Sequence, residues 1–269
     1  IFLNQNKNQL FTDARIREAI NLAINRQELI NSVLSGYGTP MTSPIPSWLM
    51  DAEGTVSQPI DVQKITTLIE QSGYEKDENG MYVKQDKKGV VIERLAFTLT
   101  TADAPELKAA GEMIKNQLLN YGIDVTLTIF DSGTLAQTVI RERSYEALLF
   151  GQNVEQEAEL FAFWHSSQRN DPGLNIALYA NARVDELLER IHKTDDKNDR
   201  QDIYEKIGTL IQDDTPAIFL YSPSFIYVLG KGSPTGVSLA HLITPKDRLQ
   251  NINTWFINTE RVWKWFAHQ

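Results

Sequence analysis

The sequence has 269 residues, of which 42% are hydrophobic and 23% are charged; these values are typical of a folded globular protein and exclude a disordered or fibrous chain. The formal net charge is −9, from 26 lysines and arginines against 35 aspartates and glutamates, and no basic stripe is present that would bind nucleic acid. The absence of cysteine excludes disulfides, cysteine-ligated metals and thiol nucleophiles.

The first part of the chain predicts two helices separated by a proline-rich loop. Asp13 can cap the first helix, whose apolar residues recur at helical spacing until Gly36 ends it. Residues 39–48 contain three prolines and predict an irregular loop. The second helix is predicted from Asp61 to Gly73, and the Asn-Gly pair at 79–80 predicts a hairpin turn after it.

From residue 95 onward, predicted strands and helices alternate. Residues 95–100, 123–129 and 145–150 predict strands, and the two segments between them predict helices. This order is typical of a parallel sheet with right-handed crossovers. We therefore predict an α/β fold with a mainly parallel central sheet flanked by helices. Two further helices, at 182–192 and 199–212, and a buried strand at 217–221 are predicted after it.

The sequence lacks the short motifs of common enzyme sites. The four histidines, His165, His192, His241 and His268, do not have the spacing of a zinc-binding pair. No G-x-S-x-G elbow is present, and no glycine-rich phosphate loop follows a predicted strand. We therefore expect no catalytic residues, no metal site and no cofactor, although a Ser-His-Asp set could still assemble from distant positions.

One segment at the carboxyl end of the third predicted strand has the character of a binding site. In open α/β sheets, ligands bind beyond the carboxyl ends of strands. Phe150 offers a stacking face, and Gly151 lets a ligand approach the main chain. Gln152 and Asn153 offer amide donors and acceptors. A polar turn without a binding role would explain the same residues.

Three other side chains could bind a ligand, but a structural role explains each of them more simply. Arg15 and Arg17 could capture a carboxylate, and Trp164 could stack on a ligand. The helical position of the two arginines favours salt bridges within the fold. The apolar neighbours of Trp164 favour packing in the core.

A series of motifs resembles a known family. In chain order they are F-L-N at 2–4, F-T-D-A-R-I-R-E-A-I at 11–20, A-I-N-R at 23–26, a Gly- and Pro-rich segment at 36–46, a helix ending in G-Y at 61–74, Q-L…G-I-D-V at 117–125, Y-A-N-A-R-V-D-E-L-L at 179–188 and D-T-P-A-I-F-L-Y at 214–221. Together they resemble the family 5 extracellular solute-binding proteins, which are the oligopeptide, dipeptide and nickel receptors of bacterial ABC importers.

The resemblance implies a lobe of a periplasmic-binding-protein type II-like fold. It implies that residues 1–230 form the C-terminal ligand-binding lobe. Residues 231–269 would form a return segment and tail that packs on an N-terminal lobe, which family members carry ahead of the first motif and which is missing here. Because the chain opens without Met or a signal peptide, we expect the signal and any membrane anchor to lie outside this sequence.

The resemblance also implies a non-enzymatic function outside the cytoplasm, in the periplasm or anchored at the cell surface. The protein would capture a peptide or peptide-like solute between two lobes and deliver it to the permease subunits of an ABC transporter. Asn153 stands where many peptide binders place an aspartate for the ligand ammonium group, and Tyr227 matches an aromatic residue that lines the pocket. Two alternatives stay open: a hydrolase or transferase lobe whose catalytic residues lie in the missing half, and a sensor or scaffold protein without a transport role.

Overall fold

The computed structural model describes residues 1–50, 59–154, 157–191, 193–230, 234, 237 and 245–257. The chain divides into two units, Ile1–Pro223 and Ser224–Gln269. The return segment and tail predicted at 231–269 lie largely outside the described residues. The proposed lobe boundary at residue 230, and the packing of the tail on another lobe, therefore stay predictions.

The first unit contains nine strands and nine α-helices among its described residues. The strands are β1 (Phe2–Leu3), β2 (Gly38–Pro40), β3 (Glu75–Lys76), β4 (Tyr82–Gln85), β5 (Val91–Arg94), β6 (Ala96–Ala102), β7 (Asp124–Phe130), β8 (Ala147–Leu149) and β9 (Tyr221–Pro223). The helices are α1 (Ala14–Ala23), α2 (Arg26–Val33), α3 (Ser47–Met50), α4 (Val62–Gln71), α5 (Pro105–Leu119), α6 (Ser132–Thr134), α7 (Ala158–Trp164), α8 (Ala182–Ile191) and α9 (Lys197–Asp214), with 3₁₀ turns at Gln9–Thr12 and Ser166–Gln168 and a π-helix at Leu135–Ile140.

The central sheet has the strand order β1-β8-β6-β7. Strand β6 pairs in parallel with β7, from Ala96 opposite Asp124 to Ala102 opposite Phe130. It also pairs in parallel with β8, where Leu99 lies opposite Ala147. The short strand β1 runs antiparallel to β8 at the edge of the sheet. The prediction of a mainly parallel sheet built from these three segments is confirmed.

Each face of the central sheet packs against its own layer of helices. Side chains alternate between the two faces of a strand, so Ala147 and Leu149 of β8 enter one core and Leu148 enters the other. The first core also holds buried residues of α1, α4 and α5. The second core holds buried residues of α7, α8 and α9. Within the described residues, no helix is long and apolar enough to cross a membrane.

The first predicted helix is divided in two by a capping residue. Helix α1 ends at Ala23, and α2 begins at Arg26. The side chain of Asn25 accepts a hydrogen bond from the main-chain N–H of Glu28 at 3.0 Å. An asparagine that caps a new helix favours extended backbone at its own position. The single continuous helix predicted up to Gly36 was therefore wrong.

Two other sequence predictions near the prolines were correct only in part. The segment predicted as an irregular loop contributes β2, in which Pro40 pairs with Tyr221 of β9, and the short helix α3. The strand predicted at 217–221 is confirmed only in part: Ala217 forms an isolated antiparallel bridge with Phe2, and regular pairing begins at Tyr221. The hairpin predicted around Gly80 is confirmed: β3, β4 and β5 form a three-stranded antiparallel sheet, and Gly80 has a φ of +78°.

Candidate ligand-binding site

The carboxyl ends of β6 and β8 meet where the chain leaves the sheet in opposite directions. After β6 it enters α5, whose Ile114 and Leu118 lie in the first core. After β8 it leads to α7, whose Leu160 and Trp164 lie in the second core. Adjacent parallel strands whose connections diverge to opposite faces leave a crevice between them, and such crevices are where open α/β sheets bind ligands.

A pocket of about 240 Å³ lies at this end of the sheet. Its described lining residues come from the end of β8, the π-helix, α7 and the loop before α8, and they are Ile140, Phe150, Gly151, Gln152, Asn153, Phe163, Leu174 and Ile176. The volume is below the roughly 300–1,000 Å³ of a complete small-molecule site. The pocket therefore has room for one group of a ligand, such as a side chain.

Four of the five predicted binding residues line this pocket. Phe150 follows β8 directly and is 37% exposed. The main chain just before Phe150 is held by Thr101, whose buried hydroxyl donates a hydrogen bond to the main-chain oxygen of Leu149 at 2.9 Å. A Cβ atom added to Gly151 would meet no atom within 4 Å, so this glycine borders open space. The amide nitrogen of Gln152 donates to the main-chain oxygen of Leu174 at 3.3 Å.

The fifth predicted residue, Tyr227, belongs to the second unit. Its ring stacks on that of Phe225, with centroids 6.3 Å apart and an interplanar angle of 13°. The unit also contains 3₁₀ turns at Pro245–Leu249 and Ile252–Thr254. The prediction that Tyr227 contributes to the same site as Asn153 stays a prediction.

The chemistry of the pocket is neutral and mostly apolar. None of its eight described lining residues has an ionisable side chain, and five of them are aliphatic or aromatic. Polar atoms come from the amide side chains of Gln152 and Asn153 and from the main chain. Such a surface favours an uncharged apolar group, with hydrogen bonds available at its rim, because an unpaired charge costs several kcal/mol to desolvate.

Sequence reasoning missed half of the pocket. Ile140 lies in the π-helix and Phe163 in α7, while Leu174 and Ile176 flank a buried residue in the loop before α8. No periodic signal marks Leu174 and Ile176 in the sequence: the main-chain N–H of Ile176 donates to the main-chain oxygen of Leu174 at 2.8 Å, so this segment turns and does not run as a strand.

The two arginines have different roles from each other. Arg15 forms the predicted salt bridge, with Asp13 at 2.8 Å. Arg17 is buried and donates to main-chain oxygens, among them those of Phe11 and Asp214, both at 2.7 Å. The salt bridge predicted for Arg17 was therefore wrong: its partners are carbonyl groups.

Trp164 packs in the second core, as the sequence predicts. It is 3% exposed, and its ring lies 5.7 Å from that of Phe219 and 6.2 Å from that of Tyr179.

His165 is the one histidine among the described residues; His192, His241 and His268 lie outside them. Its Nδ1 atom accepts a hydrogen bond from the main-chain N–H of Ser167 at 3.1 Å and lies 2.8 Å from the hydroxyl of Ser167. This contact caps the 3₁₀ turn Ser166–Gln168. Within the described part of the chain, no cluster of three histidine, aspartate or glutamate side chains could hold a metal ion.

A second concavity of about 180 Å³ lies between α3 and the start of α9. Its lining includes Trp48, Lys197 and Arg200. The guanidinium of Arg200 is already bound to Glu157 and to the main-chain oxygen of Thr194, the latter at 3.0 Å. An anion would have to displace these partners, which makes the pocket at the end of β8 the better candidate.

The sheet order, the two helical layers and a pocket at the carboxyl ends of parallel strands define a lobe of the type II periplasmic-binding-protein fold. The solved structure of the oligopeptide-binding protein AppA from Bacillus subtilis, in complex with a nonapeptide, superposes with a TM-score of 0.73. That match has 24% sequence identity and covers 96% of this chain and 50% of the AppA chain. At this identity the likeness shows the fold.

The chain belongs to the family of bacterial extracellular solute-binding proteins, family 5, whose middle-region profile matches residues 1–171. Oligopeptide-binding protein AppA of Bacillus subtilis (strain 168) is 27% identical over 257 residues, covering 93% of this chain and 45% of that protein. Glutathione-binding protein GsiB of Pectobacterium atrosepticum is 27% identical over 220 residues, covering 78% of this chain and 39% of that protein. The chain thus spans less than half the length of these relatives.

Proposed function

We propose that this chain is the ligand-binding lobe of the substrate-binding component of an ABC importer, and that it captures a peptide or peptide-like solute outside the cytoplasm. The family match over residues 1–171 carries the proposal. The names of two relatives support it, since one is an oligopeptide-binding protein and the other a glutathione-binding protein. Permease subunits of the importer are the expected protein partners.

The proposed contacts are with Phe150, Gly151, Gln152 and Asn153 at the end of β8, and with Tyr227 from the second unit. The ring of Phe150 is exposed enough to stack on a ligand. Open space beside Gly151 lets a ligand reach the main chain. The amide of Asn153 would make a neutral hydrogen bond where a carboxylate would bind an ammonium group. This arrangement favours a solute whose amine is blocked, absent or held elsewhere.

The proposal includes a second lobe, because the matched relatives are more than twice as long as the part that aligns. We infer that the solute is enclosed between that lobe and the pocket described above, as in hinge closure around a ligand. We also propose that no bond of the solute is cleaved. The neutral pocket supports this, because its described lining contains no nucleophile beside a base and no pair of carboxyl groups.

Mass spectrometry of the solute that co-purifies with the protein containing this chain, expressed in its native host, tests the proposal. We expect a peptide or peptide-like molecule that has the same mass after prolonged incubation with the protein. Conversion of the bound molecule to products would instead support an enzyme. Failure to retain any solute, combined with no binding to a mixture of short peptides in calorimetry, would exclude the proposed binding function.

A further inference from the structure

Residues 173–176, in the loop before α8, form an apolar side of the pocket, which we call the wall. A buried polar residue lies within it. Leu174 and Ile176 both line the pocket, and Leu174 is 50% exposed. Asn175, between them, is fully buried. A polar side chain is buried only where its hydrogen bonds are made, so the partners of Asn175 indicate what holds the wall in place.

Asn175 joins the wall to the carboxyl end of α7, another element that lines the pocket. Its amide nitrogen donates to the main-chain oxygen of His165 at 3.1 Å and to that of Tyr179 at 3.0 Å. Its amide oxygen accepts from the main-chain N–H of Tyr179 at 3.2 Å. His165 immediately follows α7, which carries the lining residue Phe163. One side chain therefore ties two lining segments together.

Other side chains engage the carbonyl groups of the same wall. Arg143 donates to the oxygen of Gly173 at 2.7 Å. The hydroxyl of Tyr145, which is buried, donates to the oxygen of Ile176. Gln152 donates to the oxygen of Leu174 at 3.3 Å. Because these main-chain acceptors already have partners, the wall offers a ligand mainly the side chains of Leu174 and Ile176.

We propose that Asn175 is a positioning residue that fixes the width of this pocket, so that the site binds a bulky uncharged apolar group in preference to a small one. The inference rests on the proposed binding function and adds a specificity to it. Asn175 acts through the wall and through α7. A pocket held in advance of binding discriminates by size better than one that must order its wall around each ligand.

The test measures selectivity with two neutral probes, N-acetyl-leucinamide and N-acetyl-alaninamide, titrated by NMR into the protein that contains this chain. Three additional carbons fully buried in the pocket give an expected preference for the leucine probe of roughly fiftyfold. In Asn175→Ala the wall is released, and the preference is expected to fall to about threefold or less. Tyr145→Phe keeps the buried ring and removes one bond to the wall, so a smaller loss of preference is expected.

Gln117→Ala is the matched control. Gln117 is also a buried amide that joins two elements, since it accepts from the main-chain N–H of Asn25 at 3.1 Å and donates to Glu28 at 2.9 Å, but it lies on α5 and does not line the pocket. This variant is expected to lower the thermal midpoint of unfolding while the leucine preference stays at the wild-type value. Loss of stability alone is thereby separated from loss of positioning.

The inference is overturned if a folded Asn175→Ala protein keeps the wild-type preference, or if Gln117→Ala loses it equally. If Asn175→Ala does not fold, the leucine preference of Tyr145→Phe is the test, and an unchanged preference in that variant contradicts the inference. A wild-type protein that does not distinguish or does not bind the probes also contradicts it. That result leaves the proposed function standing wherever a natural solute still co-purifies.

Discussion

The guanidinium of Arg17 lies 2.7 Å from the main-chain oxygen of Asp214, which is 197 residues further along the chain. Asp214 is the last residue of α9, so the cation meets the end of the helix where unpaired carbonyl groups and the negative end of the helix dipole are found. Burial lowers the pKa of Arg17, while the nearby carboxylates of Asp214 and Asp13 act in the opposite direction. Arg17 therefore holds α9 to α1.

Replacing Arg17 with methionine is expected to lower the free energy of unfolding by about 2–4 kcal/mol, because several buried carbonyl groups lose their donor. Chemical denaturation measures this change. Arg15→Met is the control: Arg15 is two residues away, and its side chain is 47% exposed in a surface pair with Asp13. We expect that control to unfold almost as the wild type does. Equal losses from both substitutions would contradict a special role for Arg17.

The contact of Asp13 with Arg15 predicts that part of the free energy of unfolding is lost in acid. Its hydrogen bond with the side chain of Arg15 is the main cause that lowers the pKa of Asp13 from 3.8 to about 2. Because the folded-state pKa lies below the unfolded one, the stabilisation is present above pH 4 and is lost as the pH falls toward 2. Screening at this partly exposed position limits it to about 1 kcal/mol or less.

The substitution Asp13→Asn isolates that component. Asparagine keeps the helix cap, in which the side chain of Asp13 accepts from the N–H of Arg15 at 3.0 Å, but it cannot titrate. Stability should therefore depend less steeply on pH between 4 and 2 in the variant than in the wild type, as measured by urea denaturation at each pH. Parallel pH profiles for the two proteins would exclude a contribution from Asp13.

Gly173 and Gly151 form a matched pair beside the pocket. A Cβ atom on Gly173 would lie 2.2 Å from the main-chain oxygen of Gln168, so alanine there must displace the loop. A Cβ atom on Gly151 would meet nothing within 4 Å. We expect Gly173→Ala to cost about 1–3 kcal/mol of unfolding free energy, as overpacking does. Gly151→Ala should leave that free energy unchanged. Thermal unfolding of both variants measures this difference. A Gly173→Ala protein as stable as the wild type would contradict the prediction.

The sequence predicts the three parallel strands well because their signals are local. Alternating apolar residues mark β6 and β7, and a capping or proline residue marks the helix after each. The division between α1 and α2 was missed because apolar spacing continues past Ala23, whereas the break depends on the side chain of Asn25. The pairing of β2 with β9 was missed because it joins segments far apart in the chain, and local composition carries no information about a distant partner.

The candidate site could be predicted only where it follows a strand. Residues 150–153 were found from the rule for carboxyl ends of parallel strands. The side of the pocket formed by Leu174 and Ile176 could not be found in the same way. These residues are held at the pocket by side-chain hydrogen bonds of Tyr145, Gln152 and the buried Asn175. Such side-chain contacts to main-chain oxygens leave no periodic pattern in the sequence.

Asn153 supplies the last prediction, which concerns the ligand. It lines the pocket next to Gln152, and we expect its amide to form a neutral hydrogen bond with the solute. A carboxylate at this position would bind an ammonium group more strongly than an amide does, because it adds charge to the hydrogen bond. Asn153→Asp in the protein that contains this chain should therefore shift preference toward peptides with a free amine by about 1–3 kcal/mol, the range of a charged hydrogen bond.

The measurement is calorimetric titration with one peptide in free and N-acetylated form. Asn79→Asp is the control, since it makes the same change of charge at an exposed position, in the turn before Gly80. An unchanged ratio of affinities in Asn153→Asp, or the same shift in Asn79→Asp, would show that Asn153 serves the turn after β8 rather than the ligand.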